Sequence, residues 1–330
     1  MHPVLVGDIG GTKTRLALVE VSGTQVSIVR EKDYPSGHYA AFDDLLDDFL
    51  AGQAGSYRAA FGVAGPVQGR VVKTTNLPWH IDAEKLQKRF RLVSCSLLND
   101  LEATARGLPA LQTEDLLTLQ AGRAQACGNA AVIAAGTGLG EAGLYWDGER
   151  HQPFATEGGH ASFSPENDLD VALLHYLQRQ YGHVSWERVV SGMGVVGLHG
   201  FLSEYRKVDV PAWLAEQMHN GDAAAAIANA ALSESDAICV ETLGYFVRLY
   251  GAEAGNLALK VMSRGGVYVG GGIAPKILPL LQQGEFLEAF LNKGRMRALL
   301  EAMPVKVILN DRAALLGPAL YAAQLTRGIQ

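Results

Sequence analysis

"GDIGGTKTRLAL" (residues 7–18) sets an aspartate, a glycine pair and two threonines between two apolar runs. "PVLVGDI" (3–9) before it and "TRLALVEV" (14–21) after it read as strands, and "VSIVREKDY" (26–34) as a third. Gly10-Gly11 and Ser22-Gly23 are the turn signals between them. Neighbouring strands joined by short turns predict an antiparallel meander. The glycine pair alone allows two readings, a tight hairpin or a concave set of backbone amides that holds a phosphate.

Beyond the meander the pattern alternates. "YAAFDDLLDDFL" (39–50) has helical spacing, "YRAAFGVAG" (57–65) returns to strand, and "HIDAEKLQKRF" (80–90) reads as a helix. "LVSCSLLND" (92–100) is a strand and "LEATARGL" (101–108) the helix after it, so the class is an α/β layer fold. Residues 109–128 carry no strong signal. "AAVIAAGTGLGEAGLYW" (130–146) then repeats strand, glycine turn and strand, echoing 3–21 in outline, as an internal duplication would. Helices are predicted over 168–180, 193–206 and much of 222–260. "GGVYVGGGIAPKI" (265–277) reads as strand, glycine turn and a helix with Pro275 in its first turn, and 305–323 as strand, polar turn and amphipathic helix.

Several function classes fall away on composition. The 330 residues suffice for two lobes with separate cores, and 48% apolar with 19% charged residues is an ordinary globular balance. The formal charge of −6 comes without a basic run, so neither nucleic acid nor an anionic membrane is expected as a partner. No apolar stretch is long enough for a membrane span, and the start has no basic n-region, which argues against secretion. Cys95, Cys127 and Cys239 are too scattered for a disulfide framework or a CxxC metal pair, which fits a reducing cytoplasm.

Three glycine turns remain: Gly10-Gly11, "AGTGLG" (135–140) and "GGG" (270–272). None is a P-loop, since GxxxxGK[ST] is absent. "GTGLG" is followed by a strand, "EAGLYW", where a dinucleotide fingerprint requires a helix.

As a colinear set, "DIGGTKTRLAL", "LLNDLEATARG", "AAGTGLG", "EGGHASF" and "YVGGGIAPK" resemble the bacterial glucokinase family, within the sugar kinase, actin and heat-shock ATPase superfamily. The resemblance runs from residue 4 to about 323. It implies a two-lobed actin-like ATPase (ribonuclease H-like) fold, with a mixed sheet in each lobe and a cleft between them. Residues 1–110 plus 300–330 would form the small domain and 111–299 the large one. Kin with a structural zinc carry a cysteine-rich segment after the histidine; "GGHASFSPENDLD" (158–170) has none, so that zinc is not expected.

Asn99 and Asp100 close a strand at its carboxyl end, where α/β folds bind ligands, although either could simply cap the next helix. By resemblance Asp100 is the general base that accepts the proton of the sugar 6-hydroxyl, and Asn99, Glu157, His160 and Glu187 bind the other hydroxyls of glucose. Glu187 without the resemblance reads as an exposed helix-end carboxylate. Asp8 is expected to hold Mg²⁺ through water, Gly10, Gly11 and Thr12 to form the first phosphate turn, Thr137 and Gly138 the second, and Gly271 and Gly272 the adenosine turn. Lys13 reads as a solvated lysine more readily than as a phosphate clamp. The implied activity is direct, in-line phosphorylation of glucose by ATP·Mg²⁺ in a cytoplasmic, glycolytic homodimer. A kinase for another hexose, a partner-coupled ATPase and a sugar-sensing regulator are the competing readings. Neither of the last two needs the full sugar set together with Asp100.

Overall fold

Alternation along β1 (Val4–Ile9) sends Leu5 and Ile9 into one apolar cluster and Val4 and Val6 into another, as a period of two requires. The computed structural model describes residues 3–53, 55–74, 77–123 and 127–324. The chain forms two units. One runs to Asp115 and includes Gln152–Ala155 and the chain from Asn310; the other comprises Leu116–His151 and Thr156–Leu309.

In the first unit, β1 turns through Gly10–Thr12 into β2 (Lys13–Ser22), which turns into β3 (Gln25–Pro35). Both pairings are antiparallel, as the sequence predicts. α1 (Phe42–Leu50) lays Phe42, Leu45, Leu46 and Phe49 on the cluster that holds Leu5 and Ile9. β4 (Arg58–Val63) runs parallel to β1. β5 (Val67–Gln68), β6 (Val71–Lys73) and β7 (His80–Asp82) form a small antiparallel ribbon, so the helix predicted from residue 80 begins later. The Asp82 side chain accepts from Glu84 N and Lys85 N and thereby caps α2 (Ala83–Arg89), while His80 and Ile81 pair with β6. β8 (Ser94–Asn99) runs parallel to β4 and leads into α3 (Asp100–Gly107). The sheet order is β3–β2–β1–β4–β8.

The second unit opens with β9 (Leu116–Gln120), a strand in the stretch that gave no sequence signal. β10 (Ala130–Ala135) and β11 (Leu139–Trp146) pair antiparallel; β12 (His151–Ala155), of which all but His151 belongs to the first unit, follows in the chain. Five helices come next: α4 (Asp168–Tyr181), α5 (Gly192–Arg206), α6 (Ala212–Asn220), α7 (Ala223–Leu232) and α8 (Ala237–Val261). β13 (Gly266–Gly270) is parallel to β10. After it, Ala274–Ile277 is a 3-10 turn in place of the predicted helical start. Short helices α9 (Leu278–Leu281), α10 (Glu285–Leu291) and α11 (Arg297–Glu301) lead to β14 (Val305–Ile308), parallel to β13 and antiparallel to β9. β10 thus repeats the arrangement of β1: an antiparallel hairpin partner on one side, and two successive parallel strands on the other. That is the pattern expected of a duplication.

α8 is mostly buried, with Phe246, Tyr250 and Ala254 among the core of the second unit. It meets α7 at a bend of 102°, and no single helix among the described residues is long and apolar enough to cross a membrane. α12 (Ala313–Gln324) returns to the first unit and covers Val4, Val6, Val19 and Ala60 with Leu315, Ala319 and Ala322. The amphipathic helix predicted there is instead buried on nearly every side, Leu315 to Leu320 without a break.

α12 crosses α3 at backbone contact. A Cβ on Gly317 would collide with the Ala103 carbonyl, and one on Gly107 would lie 2.5 Å from the Ala313 carbonyl. Gly317→Ala should therefore cost about 1–3 kcal/mol or more, as overpacking does. Gly37→Ala, with nothing within 4 Å of its Cβ, should stay within about 0.5 kcal/mol. Urea midpoints of the two variants against the parent check both numbers.

Candidate active site

Asp8 lies on the same face of β1 as Val4 and Val6, at the end of the strand, where the apolar cover gives way to charge. An open depression is lined by Asp8, Lys13, Arg15 and Asp311. Arg15 Nε donates to Asp33 Oδ1 at 2.7 Å and its NH2 to Asp311 Oδ2 at 3.0 Å. Lys13 Nζ pairs with Asp33 at 2.6 Å, so it is engaged with a surface carboxylate. Burial raises the Asp8 carboxyl to about 6, against the opposing pull of Arg15 and Lys13.

The neighbouring turn is built from backbone. Gly10 N donates to Lys13 O at 3.0 Å, and a Cβ on Gly10 would come within 2.9 Å of that same carbonyl. Ser36 at the end of β3 fastens the turn from outside, with Oγ donating to Gly10 O at 2.8 Å and N donating to Thr12 O at 3.0 Å. Gly11 is partly exposed, and Thr12 is exposed. A carboxylate beside a glycine turn suits a hydrated dication with phosphate, because hard oxygen donors and free amides are the groups such a pair needs. Asp8 and the 10–12 turn therefore fit Mg²⁺ and a nucleotide phosphate.

Also in the first unit, Asn99 closes β8 and caps α3. Its Oδ1 accepts from Leu101 N at 3.0 Å and Glu102 N at 3.3 Å, the capping alternative that the sequence left open. Its Nδ2 reaches Gly65 O only at 3.5 Å. Asp100 is the first residue of α3; its Oδ1 accepts from Leu101 N at 2.9 Å, which fixes the carboxylate at the positive end of the helix.

The second unit brings Thr137, Gly138, Glu157, His160 and Glu187 into one group. The turn between β10 and β11 closes with Gly136 N on Gly138 O at 2.9 Å. Glu187 sits on a 3-10 turn, Trp186–Arg188, and its Oε2 accepts from Leu139 N at 3.0 Å. A Cβ on Gly138 would collide with that carboxylate. The other oxygen of Glu187 lies 3.9 Å from His160 Nδ1, and His160 Nε2 lies 3.8 Å from Glu157 Oε2. The side chain of Glu187 is 19% exposed, against 61% for His160 and 66% for Glu157. One half-buried carboxylate thus supports both a glycine turn and an exposed polar rim. It is not the solvated helix-end glutamate that local sequence suggested.

Gly271 follows β13 with φ of +82°, and a Cβ there would strike the Ala135 carbonyl, so only glycine fits. Gly272 has nothing within 4 Å of a Cβ, an open surface that a flat base or ribose could approach.

The Glucokinase family profile matches residues 5–325. The chain belongs to the glucokinase family. It is 43% identical over 342 aligned residues to the glucokinase of Trichormus variabilis, covering 98% of this chain and 100% of that protein. The Synechocystis glucokinase is 39% identical over 97% of this chain and 98% of its own. The crystal structure of a glucokinase from an Antarctic psychrotroph superposes with a TM-score of 0.84 and 30% identity, covering 98% of this chain and 99% of that one. A ROK-family glucokinase from Streptomyces griseus, solved with glucose and AMPPNP, shares the fold at a TM-score of 0.67 and 22% identity, over 98% and 99% of the two chains. Membership of the glucokinase family makes the chain an enzyme of the kinase class with the actin-like ATPase fold of the sugar kinases.

Three features of this glucokinase-family chain escaped sequence reading. Arg15 and Asp311 meet from 296 positions apart, beyond any local pattern. Tyr250 is buried on α8 and holds the strand ends: its hydroxyl accepts from Ala135 N at 3.1 Å and donates toward Gly270 O at 3.1 Å. Glu141 on β11 is 2% exposed beneath the 157–160 turn, where a Cβ on Gly158 would collide with its carboxyl. Burial, and then the charge of the fully buried Glu253, push Glu141 up to about 8, and burial raises Glu253 as well. Lys260 lies 3.3 Å from Glu253 and steadies its charge.

The native chain retains a proton on Glu141 that an unfolded glutamate releases near its ordinary value of 4.5. The contribution of this pair to stability therefore falls as pH rises from about 4.5 to about 8. Glu141→Gln keeps the shape without the charge. Relative to the parent, its thermal midpoint should gain steadily across that window, as differential scanning calorimetry at stepped pH would read.

Proposed function

We propose that the chain transfers the γ-phosphoryl group of ATP to the 6-hydroxyl of D-glucose, giving glucose 6-phosphate and ADP by direct in-line displacement. The observation that carries this reading is the carboxylate of Asp100, fixed by Leu101 N at the start of α3 directly after β8. There it orients the sugar hydroxyl and accepts its proton late in the transfer, with no protein nucleophile required.

Asn99 binds a neighbouring hydroxyl through its amide nitrogen, which has only a long contact to Gly65 O. Glu157, His160 and Glu187 take the remaining hydroxyls. Their mutual separations of 3.8–3.9 Å are too long for strong direct bonds, which leaves carboxylate acceptors and an imidazole free to pair with a polyol. A set of this kind discriminates by hydroxyl count and geometry, because a missing hydroxyl leaves a polar group unpaired.

For the nucleotide, the Gly10–Thr12 turn holds phosphate through the amides of Gly11 and Thr12, Gly10 closing the turn, Thr137 and Gly138 form the second phosphate turn, and Gly271 with Gly272 receives the adenosine. Asp8 would hold Mg²⁺ through water, and that ion would neutralise charge on the β- and γ-phosphates. Resemblance to the family supports a cytoplasmic homodimer in glycolysis, with glucose and ATP as its partners and neither nucleic acid nor membrane among them.

Asp100→Asn should lower kcat for glucose by about 10²–10⁴-fold while calorimetry still detects glucose binding. ADP release across a panel of hexoses reads the rate. Sugar-independent hydrolysis at equal rates in both proteins would overturn the mechanism.

Glu187 gives a second check. Loss of a charged hydrogen bond typically costs about 1.5–3 kcal/mol. Glu187→Ala should therefore raise KM for glucose about tenfold or more and raise KM for ATP as well, since it also frees Leu139 N beside the 137–138 turn. Glu157→Ala should raise KM for glucose alone.

A further inference from the structure

His199 on α5 and Cys239 in the first turn of α8 are both buried, and Asp236 is the residue that caps α8. One ligand atom from each lies within 4.8 Å of the others. His199 Nε2 is buried and finds no hydrogen-bond partner among the described residues. A buried ring nitrogen left unmatched in this way is uncommon and calls for an explanation. Asp236 spends Oδ1 on Cys239 N at 2.8 Å, which leaves Oδ2 uncommitted to the cap.

We propose that His199, Asp236 and Cys239 form a binding site for one divalent transition-metal ion of the zinc type, tying α5 to the start of α8. The donor set decides the class of ion. One thiolate, one imidazole and one carboxylate suit Zn²⁺ and its close analogue Co²⁺, whereas Mg²⁺ and Ca²⁺ take oxygen ligands. Charge balances as well: thiolate and carboxylate together cancel the dication, and the imidazole enters neutral, so a largely buried site carries no net charge. The Cys239 thiol proton leaves to solvent as the sulfur–metal bond forms. Asp236 is only half-buried, which gives the ion a way in and leaves a fourth position for water.

Tetrahedral zinc at its usual bond lengths would bring the ligand atoms to roughly 3.3–3.7 Å of one another. The three side chains therefore draw in by about 1 Å, within reach of small rotations at Asp236 and Cys239. The location differs from the cysteine-rich zinc segment that the sequence lacks after His160. It lies on the helical layer, and α5 leads back through Ser191 to Glu187, whose carbonyl accepts from Ser191 Oγ at 2.6 Å. The ion would thus stiffen a helix that begins beside the proposed sugar rim.

Full-length protein without a histidine tag, stripped with a chelator, is titrated with Co²⁺ and then with Zn²⁺. One equivalent of Co²⁺ should give a near-ultraviolet thiolate-to-cobalt band. Zn²⁺ should abolish that band and raise the thermal midpoint by several degrees. Both effects should vanish in Cys239→Ala and persist in Cys127→Ala. A wild-type chain with no band, or a band that survives Cys239→Ala, overturns the proposal. Should Cys239→Ala not fold, the zinc K-edge spectrum of Zn²⁺-loaded wild type decides: a first shell with one sulfur supports the site, and a shell of nitrogen and oxygen alone overturns it.

Discussion

The contact on which the first unit turns is made chiefly of backbone. At Gly107 and Gly317, α3 and α12 meet backbone to backbone, and Gly62 on β4 clears the Ala103 methyl from beneath, where its own Cβ would lie only 2.8 Å away. Three glycines thereby fix the height and tilt of α3 above the sheet. Asn99 and Asp100 sit at its start, so that packing helps to set where they stand. A tenth of a nanometre matters at such a place, because positioning carries most of the work in phosphoryl transfer. The second unit reaches the same end by other means. Gly271 presses on the Ala135 carbonyl, and the Tyr250 hydroxyl bridges β10 and β13 from below, so the ends of adjacent strands are held in register by one buried phenol.

Legibility in the sequence followed the range of the interaction. The meander, the strands within 57–65 and 92–100 and the helical stretch over much of 222–260 were readable because each carries its signal in local sequence. β7 was not, since "HID" runs straight into a helical pattern and only the Asp82 cap separates the two. β9 was missed because its pairing with β14 joins segments far apart in the chain, and its alternation of Leu117 and Leu119 with Thr118 and Gln120 is only four residues long. α12 misled for a different reason: its scattered alanines and glycine resemble an exposed flank, yet they are small because both α3 and the sheet lie against them. In the candidate site, Gly10, Gly138 and Gly271 were legible as turns. Glu187 took on its second task only once Leu139 N appeared 3.0 Å away, and Glu141 is an ordinary strand residue until Gly158 and Glu253 close over it.

The carboxylates divide into two kinds. Asp8, Glu157 and Glu187 keep at least part of their surface and face amides, cations or an imidazole, the surroundings in which a charged oxygen is useful. Glu141 and Glu253 have lost water almost completely and have one lysine between them, so charge on both is costly. The family resemblance singled out Asp8, Glu157 and Glu187, while nothing in the local sequence marked Glu141 or Glu253. Burial separates those that can bind from those that hold the frame.

The first unit is also made from both ends of the order in which the chain is written. Arg15 on β2 is completed by Asp311, and the apolar face of Val4, Val6, Val19 and Ala60 is covered by a helix that follows every element of the second unit. During synthesis that face leaves the ribosome early and waits for its lid while the whole second unit is translated. The second unit can settle on its own schedule, whereas the meander stands half-covered until Leu315, Ala319 and Ala322 arrive. Slow translation through the middle of the gene thus lengthens the interval in which bare β-strand surface is open to a chaperone or to another nascent chain.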